Sequence, residues 1–584
     1  MNEVRNPALR SEGDHRALKW LTWGGSLVTL IFWSNLNDPF NAPKSWILSI
    51  TGFWLTAWVL FNIKERIKST PLKFATIFAT AYLLALGMAF VATDNKFIGF
   101  FGEYQRRTGL LSYMCLIIFF LAASYTFNLR RLGRLENASV VVGFLTAIYG
   151  FAQHFNLDIV HWSNRYNSVL STLGNPDFAA ALMAIFLILN FGIAFQKKYF
   201  KWARVLAGSN VLLLAVVISF SHVRQGMLTA LIGVLLILIV RLYQRSKSAG
   251  YAATVVAAIF GLFGIFGMLD KGPLAKYLYK ESVTLRGDYW RAGWKMFVHH
   301  PLFGVGLDRY GANFRQYRDS TQALRHRGPD FVSNAAHNIP IQLASTGGIF
   351  VLLSFLAFTG FVSWRGVTAL RKSKGSDQVS VAVIFAAWIA YELQSFISID
   401  TLGVAVWGYI LAGAVVGISV GTHQESQSVS QKRSILQPLV SSTLALAMFT
   451  LSALFFGAES SMRTLKSVTR PHSQTDLVAY EKLTQRPTSY VFEEPSFALT
   501  AAEDLFLVNN ISGSISGLNK LLKQDPHFYD AYEALARIYE YEKNWSEAVR
   551  IRKQMLTIDP FNPKLLAKIN ADVILSNNPH PLHP

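Results

Sequence analysis

The chain has 584 residues, of which 52% are hydrophobic and only 15% are charged, and its net charge is +20. The hydrophobic residues come in runs of about 20, the length that a helix needs to cross a bilayer, which excludes an ordinary soluble domain. Most of the excess positive charge lies in short loops between these runs, where membrane topology accounts for it, so nucleic-acid binding is not indicated. The single cysteine, Cys115, excludes an internal disulfide framework and a cysteine metal site.

The hydrophobic runs predict an all-α, polytopic membrane protein with about thirteen transmembrane helices. The first run follows a basic N-terminal segment and lacks a clear small-residue cleavage site, so we interpret it as a signal anchor. The predicted spans, in chain order, are 17–36, 44–63, 73–93, 109–127, 135–155, 175–195, 202–221, 224–243, 250–269, 337–363, 378–399, 401–421 and 436–458. This pattern predicts a membrane domain over residues 1–458 and a separate C-terminal domain over 459–584.

Lysine and arginine residues are concentrated in every second loop between the predicted spans, for example in 64–68, 130–134 and 197–201. Short loops rich in these residues stay in the cytoplasm, and the basic N-terminal segment belongs to the same set. We therefore expect a cytoplasmic N-terminus. With an odd number of spans, the C-terminal domain is expected on the outer side.

The longest interruption between spans, residues 270–336, also falls on the outer side and carries eleven basic and six acidic residues. It contains the segment Arg286-Gly-Asp-Tyr-Trp290 and ends just before His337-Asn338. Long loops escape the rule on basic residues, so topology does not require these charges. They favour a site for an anionic, lipid-linked substrate, and a merely solvated loop is the alternative.

Five polar residues beside span ends map to that outer face: Arg107, Asn175, Arg224, Arg286 and His337. A guanidinium binds phosphate through paired donors and stays charged, so Arg224 and Arg286 could clamp a diphosphate leaving group. A neutral histidine can accept a proton from an attacking hydroxyl, which suits His337. Arg224 could instead anchor lipid headgroups, and His337 could simply be a polar residue at the start of a helix.

Motifs for metal and nucleotide chemistry are missing from the sequence. It has no Asp-x-Asp motif, no outer carboxylate cluster with metal-ligand spacing and no phosphate-binding glycine loop. We therefore expect neither a metal site nor a cofactor.

The C-terminal segment 459–584 is soluble in composition. Tyr532, Leu535, Ala536, Tyr539, Ala548, Leu556 and Pro560 match the spacing of a tetratricopeptide repeat. Pro526 lies 34 residues before Pro560, which is the repeat period, and the preceding copy near 495–528 is degenerate. Such hairpins stack into a groove that can bind a protein partner, and a helical cap without a partner is the alternative.

The first 460 residues or so resemble the O-antigen ligase/polymerase superfamily. The resemblance rests on the order of several short motifs: Gly174-Asn175-Pro176, Ser221-x-x-Arg224, Arg286-x-x-x-Trp290, Pro301-Leu-Phe-Gly304-Val-Gly306, and Ala336-His337-Asn338 followed by Gly347.

The resemblance implies a bacterial cytoplasmic (inner) membrane protein that moves a glycan from an undecaprenyl diphosphate carrier to an acceptor. Members of the superfamily invert the anomeric centre and need no metal. Arg224 and Arg286 match the pyrophosphate-binding arginines, and His337 matches the proposed general base. Besides these three catalytic residues we expect four that bind substrate: Arg107, Asn175, Trp290 and Asn338. The expected partners are the lipid-linked donor, a lipid or protein acceptor, membrane lipids and a protein on the C-terminal repeats.

Four other hypotheses about the function remain open at this point. The enzyme could be a polysaccharide polymerase or a protein O-oligosaccharyltransferase, because these differ from a ligase only in the acceptor. A solute transporter would carry ionisable groups within its spans. The predicted spans of this chain carry few charges, and Glu392 is the main exception. In the last reading the membrane domain is inert and the repeats form a scaffold.

Overall fold

The computed structural model describes residues 7–160, 162, 169–278, 281–325, 328–421, 436–467, 474–491 and 494–577. All regular secondary structure in these ranges is helical, which confirms the all-α prediction. We number the α-helices in chain order: α1 Pro7–Leu30, α2 Asn41–Arg66, α3 Thr70–Ala92, α4 Lys96–Phe101, α5 Leu110–Thr126, α6 Gly133–His154, α7 Pro176–Phe195, α8 Lys201–Phe220, α9 Arg224–Arg245, α10 Lys247–Met268, α11 Ala275–Leu278, α12 Glu281–His299, α13 Tyr310–Tyr317, α14 Ser320–Ala323, α15 Ile339–Lys372, α16 Gly375–Ser395, α17 Leu402–Ser419, α18 Leu436–Ser467, α19 Gln474–Tyr490, α20 Pro495–Leu507, α21 Ile511–Gln524, α22 Tyr529–Tyr541, α23 Trp545–Ile558 and α24 Pro563–Asn577.

Each predicted span overlaps one of these helices. Among the described residues, ten helices are long and apolar enough to cross a membrane, which fits a multi-pass membrane protein. The other three predicted spans correspond to α1, the shorter apolar helix α5, and α16. The total of thirteen therefore stays a prediction. Helix α18 is longer than predicted, because it continues beyond residue 458 to Ser467.

The membrane helices pack into one bundle around α17. This helix is buried on nearly all sides and packs against α1, α5, α15 and α16. Helix α10, by contrast, exposes almost its whole apolar surface at the edge of the bundle and packs mainly on α9. A helix that is apolar all round and exposed on the outside is suited to contact with lipid.

Two helices that carry candidate residues begin with the same local signal. The Asn175 side chain accepts a hydrogen bond from the Asp177 backbone N–H at the start of α7, and Pro176 is its first residue. The Asn338 side chain accepts from the Ile341 N–H at the start of α15, with a proline in the first turn. Asparagine caps and early prolines are typical of helix N-termini, and they fix where these two helices begin.

The long loop 270–336 folds over the end of the bundle as short helices with a hydrophobic core of their own. Tyr289, Ala292 and Met296 of α12 pack against Tyr310 and Phe314 of α13. Helix α12 also packs on α15, so the loop is attached to the helix that follows His337. The loop is therefore a folded and packed part of the protein rather than a solvated linker.

The C-terminal helices form hairpins that repeat at a fixed interval. Helices α20 and α22 begin at residues 495 and 529, and α21 and α23 begin at 511 and 545, an offset of 34 residues in both cases. Arg552 is buried between these hairpins and the last helix, where it pairs with Glu540 and Asp572.

Candidate active site

His337 lies at the junction of the long loop and α15, beside α12. Its ring lies against the ring of Tyr289, with 5.6 Å between the centroids. Burial, together with the positive charges of Arg286 and Arg106, lowers the pKa of His337 from 6.5 to about 4. The imidazole is therefore neutral at physiological pH and can accept a proton.

His337 does not cap α15, since Asn338 holds that position. The His337 backbone has a φ of +52°, in the left-handed region that residues other than glycine seldom adopt. That conformation costs about 1–2 kcal/mol for a residue with a side chain. Such outliers cluster at functional sites, and this one favours a role for the imidazole over a purely local structural one.

Arg286 and Trp290 lie one turn apart on α12, and each holds a buried donor without a partner. The Arg286 Nε and the Trp290 Nε1 are both shielded from solvent and make no hydrogen bond within the described residues. An unpaired buried donor costs about 1–3 kcal/mol. Burial lowers the pKa of Arg286, although the nearby Asp177 opposes this, and the guanidinium remains charged. An anion placed here would satisfy both donors.

The N-terminus of α7 lies close to this part of α12, and the N-terminus of α9 packs against α7. Asp177, in the first turn of α7, is near enough to Arg286 to affect its pKa. Helices α7 and α9 pack so tightly that a Cβ on Gly226 would lie 2.7 Å from that of Ala180. Arg224 is exposed at the first position of α9. Helix N-termini favour anions, so α7 and α9 add to the positive character of this surface.

Arg107, expected to bind substrate, is buried, and its two terminal nitrogens contact Glu459 and Glu494 at 3.0 and 3.1 Å. The adjacent Arg106 is also buried and pairs with Asp308 at 2.5 Å, and its charge contributes to the lowered pKa of His337. Substrate binding by Arg107 stays a prediction.

The side chains of Asn175 and Asn338, which we also expected to bind substrate, form hydrogen bonds with the backbone. Both cap helices with the side-chain oxygen, and the Asn338 amide nitrogen additionally donates to the Phe396 carbonyl at 2.9 Å. Asn338 therefore has both ends of its side chain engaged. It fixes the start of α15, directly after His337, and joins it to the segment that follows α16.

A small cavity, with room for about one water molecule, lies at the start of α15. Arg106 and Asp400 line it together with Asn338, Gln342 and Ser398. The Arg106 Nε lies 3.6 Å from a Glu103 carboxylate oxygen, and burial raises the pKa of Asp400 to about 6. Tyr391 donates to the Asp400 carboxylate at 2.9 Å. Guanidinium, carboxylate and amide groups around a cavity of this size can hydrogen-bond a water molecule or a single hydroxyl group.

The glycines of the Pro301–Gly306 motif have a structural role. Gly304 and Gly348 both have positive φ, and a Cβ on Gly348 would lie 2.2 Å from the Leu302 carbonyl oxygen. This close approach allows Val305 N–H to bond Ser345 and Ile349 N–H to bond Pro301, both at 2.8 Å. Since α15 is interrupted at Gly348, the motif pins the first turns of α15 and hence the position of His337.

The sequence did not single out Tyr289, Arg106, Asp177 or Asp400. Tyr289 had a usable signal, because it is three residues from Arg286 on a helix and shares its face. The others depend on contacts between helices far apart in the chain, for which one sequence carries no signal.

Residues 209–356 match the O-antigen ligase family model. The matched segment runs from α8 into α15 and includes Arg224, Arg286 and His337, whereas the C-terminal helices lie outside it. Comparison with curated proteins gives no match. The family match supports a ligase- or polymerase-type membrane glycosyltransferase and fits a multi-pass protein of the bacterial inner membrane.

Proposed function

We propose that this protein transfers a glycan from an undecaprenyl diphosphate carrier to an acceptor at the outer face of the cytoplasmic membrane. The observation that carries the proposal is a neutral histidine next to a basic surface with unpaired donors. The family match over the same residues supports it.

In the proposed reaction, the acceptor hydroxyl or amine gives its proton to His337 as its oxygen or nitrogen bonds to the anomeric carbon. The bond from that carbon to the diphosphate oxygen breaks, and the diphosphate leaves with the bonding electron pair. Arg286 and Arg224 stabilise the charge that develops on it, as pre-positioned cations do in transition states. Attack opposite the leaving group inverts the anomeric centre.

Arg286 of α12 is near enough to His337 to lower its pKa, so the acceptor and the diphosphate of the donor would meet beside the imidazole. Ligase, polymerase and protein O-oligosaccharyltransferase activities would share the donor site and differ in the acceptor. Assaying one labelled donor against lipid, glycan and peptide acceptors would distinguish the three.

The first prediction concerns metal ions. Because arginines, and not a metal ion, stabilise the leaving diphosphate in this scheme, purified protein should transfer glycan in excess EDTA at its usual rate. The measurement is the initial rate with a lipid-linked donor before and after chelation. Activity that disappears with EDTA and returns with magnesium or manganese would overturn the arginine-only account.

The second prediction concerns topology. Ion pairs join the C-terminal helices to the long loop, so both lie on the same side of the membrane, and the distribution of basic residues makes that side the outer one. A periplasm-dependent phosphatase fused after Pro584 should be active, and a fluorescent reporter that matures only in the cytoplasm should stay dark. The opposite pattern would place the proposed site on the cytoplasmic side, away from its donor.

A further inference from the structure

Two aspartates at equivalent places in successive C-terminal hairpins bind arginines of the long loop. Asp525 follows α21 and Asp559 follows α23, exactly one 34-residue interval apart, and both are fully buried. Asp525 binds both terminal nitrogens of Arg309, one of them at 2.6 Å. Asp559 binds Arg318 at 2.6 Å and Arg315 at 3.2 Å. Paired, planar contacts of this kind are the most specific that arginine makes with a carboxylate.

Two of these arginines flank α13, and the third, Arg315, lies within it. Arg309 immediately precedes the helix and Arg318 immediately follows it. Both flanking side chains are almost wholly buried in the contact with the C-terminal domain. Successive hairpins therefore hold the two ends of one short helix.

Helix α13 is in turn connected to the candidate base. The Tyr310 hydroxyl donates to the Tyr289 carbonyl at 2.6 Å, and the rings of Phe314 and Tyr289 pack edge to face with 5.8 Å between centroids. Tyr289 lies against His337. A continuous series of contacts thus runs from the C-terminal hairpins to His337.

We infer that Asp525 and Asp559 are positioning residues: through α13 and Tyr289, the C-terminal hairpins hold His337 in place as an internal clamp. The inference assigns these residues of the domain to the protein itself rather than to recruitment of another protein. The measurement of glycan transfer rests on the proposed function, whereas the measurement of hydrogen exchange does not.

The test compares Asp525→Asn and Asp559→Asn with the parent protein, all full-length and in lipid nanodiscs. Both substitutions keep the size of the side chain and remove its charge. Lys564→Gln is the matched control, because Lys564 pairs with Asp330 across the same interface but both side chains are exposed, where ion pairs contribute little. Hydrogen exchange over α12 and α13 and the pH dependence of transfer are measured for each protein.

Exchange in α12 and α13 should become faster in both aspartate variants and remain unchanged in the control. Turnover should fall by up to about 10²-fold, the effect of a displacement of about 1 Å at a catalytic group. The acid limb of the pH–rate profile should move towards pH 6.5, because a loosened His337 is less buried next to Tyr289, Arg286 and Arg106.

Arg309→Lys and Arg318→Lys cover the case in which an aspartate variant fails to fold. They keep each buried charge paired but lose guanidinium contacts. Arg309 loses its two-point contact with Asp525, and Arg318 can no longer bond Asp559 and the Pro329 carbonyl together, so smaller changes in the same direction are expected. Exchange and an acid limb like those of the parent in the folded variants would overturn the clamp. If the parent transfers no glycan, the proposed function fails, and exchange over α12 and α13 alone decides the inference.

Discussion

Replacing His337 by alanine should lower turnover by about 10²–10⁴-fold, the usual contribution of general base catalysis. The diphosphate-binding arginines remain, so donor affinity should change little. His337→Asn is the companion variant, because asparagine tolerates the left-handed backbone at this position and also lacks a base of suitable strength. Initial rate and donor binding are measured for both, after size-exclusion chromatography shows that they fold.

The pH profile identifies the group that titrates. Since the pKa of His337 in the free protein is lowered to about 4, the imidazole is neutral above about pH 5. The dependence of kcat/KM should therefore fall on the acid side near pH 4, well below the ordinary histidine value of 6.5. A bound diphosphate adds negative charge, which favours the protonated form, so the limb in kcat should lie at higher pH.

Both His337→Ala and His337→Asn should abolish this acid limb of the pH–rate profile. Near-native turnover in a folded His337→Ala protein would mean that the base is another residue. An acid limb that persists in the variant at the same pH would lead to the same conclusion, since the titrating group would then lie elsewhere.

The sequence was informative where a local pattern decides the structure. Runs of hydrophobic residues located the long helices of the membrane bundle, and Gly174-Asn175-Pro176 marked the start of α7. The positions of Arg286 and His337 at the two ends of a long basic loop were also evident, because loops beside span ends commonly carry function. The structure adds Tyr289 as the side chain between them.

The sequence was uninformative where a contact joins distant segments. Arg106 and Arg107 are adjacent and chemically identical, and both are buried. Their partners differ and lie far along the chain: Asp308 for Arg106, 202 residues later, and Glu459 and Glu494 for Arg107, more than 350 residues later. Arg309 and Asp525 are 216 residues apart. A repeat pattern predicts hairpins but not which groups their carboxylates bind. The sequence alone therefore predicted a groove for a protein partner and gave no sign of the contacts with the long loop.

Replacing Arg286 by alanine should weaken donor binding as well as turnover. A charged hydrogen bond contributes about 1.5–3 kcal/mol, which corresponds to a loss of roughly 10–10²-fold in affinity. Arg286 meets the requirement for such a loss because its Nε is buried and unpaired until an anion arrives. Arg286→Lys should recover only part of the affinity, since an ammonium cannot make the paired planar contact with a diphosphate.

Arg291 provides the matched control on the same helix. It is about half exposed and already pairs with Asp288 and Asp319, the latter at 2.8 Å, so its role is structural. Arg291→Ala should therefore leave donor affinity near that of the parent. Binding is measured with undecaprenyl diphosphate-linked glycan and with undecaprenyl diphosphate alone. The weakening in Arg286→Ala should be similar for both ligands, because the diphosphate is their common part. Unchanged affinity for both ligands in a folded Arg286→Ala protein would remove Arg286 from the donor site, and a loss seen only with the glycan-bearing ligand would assign it to the sugar.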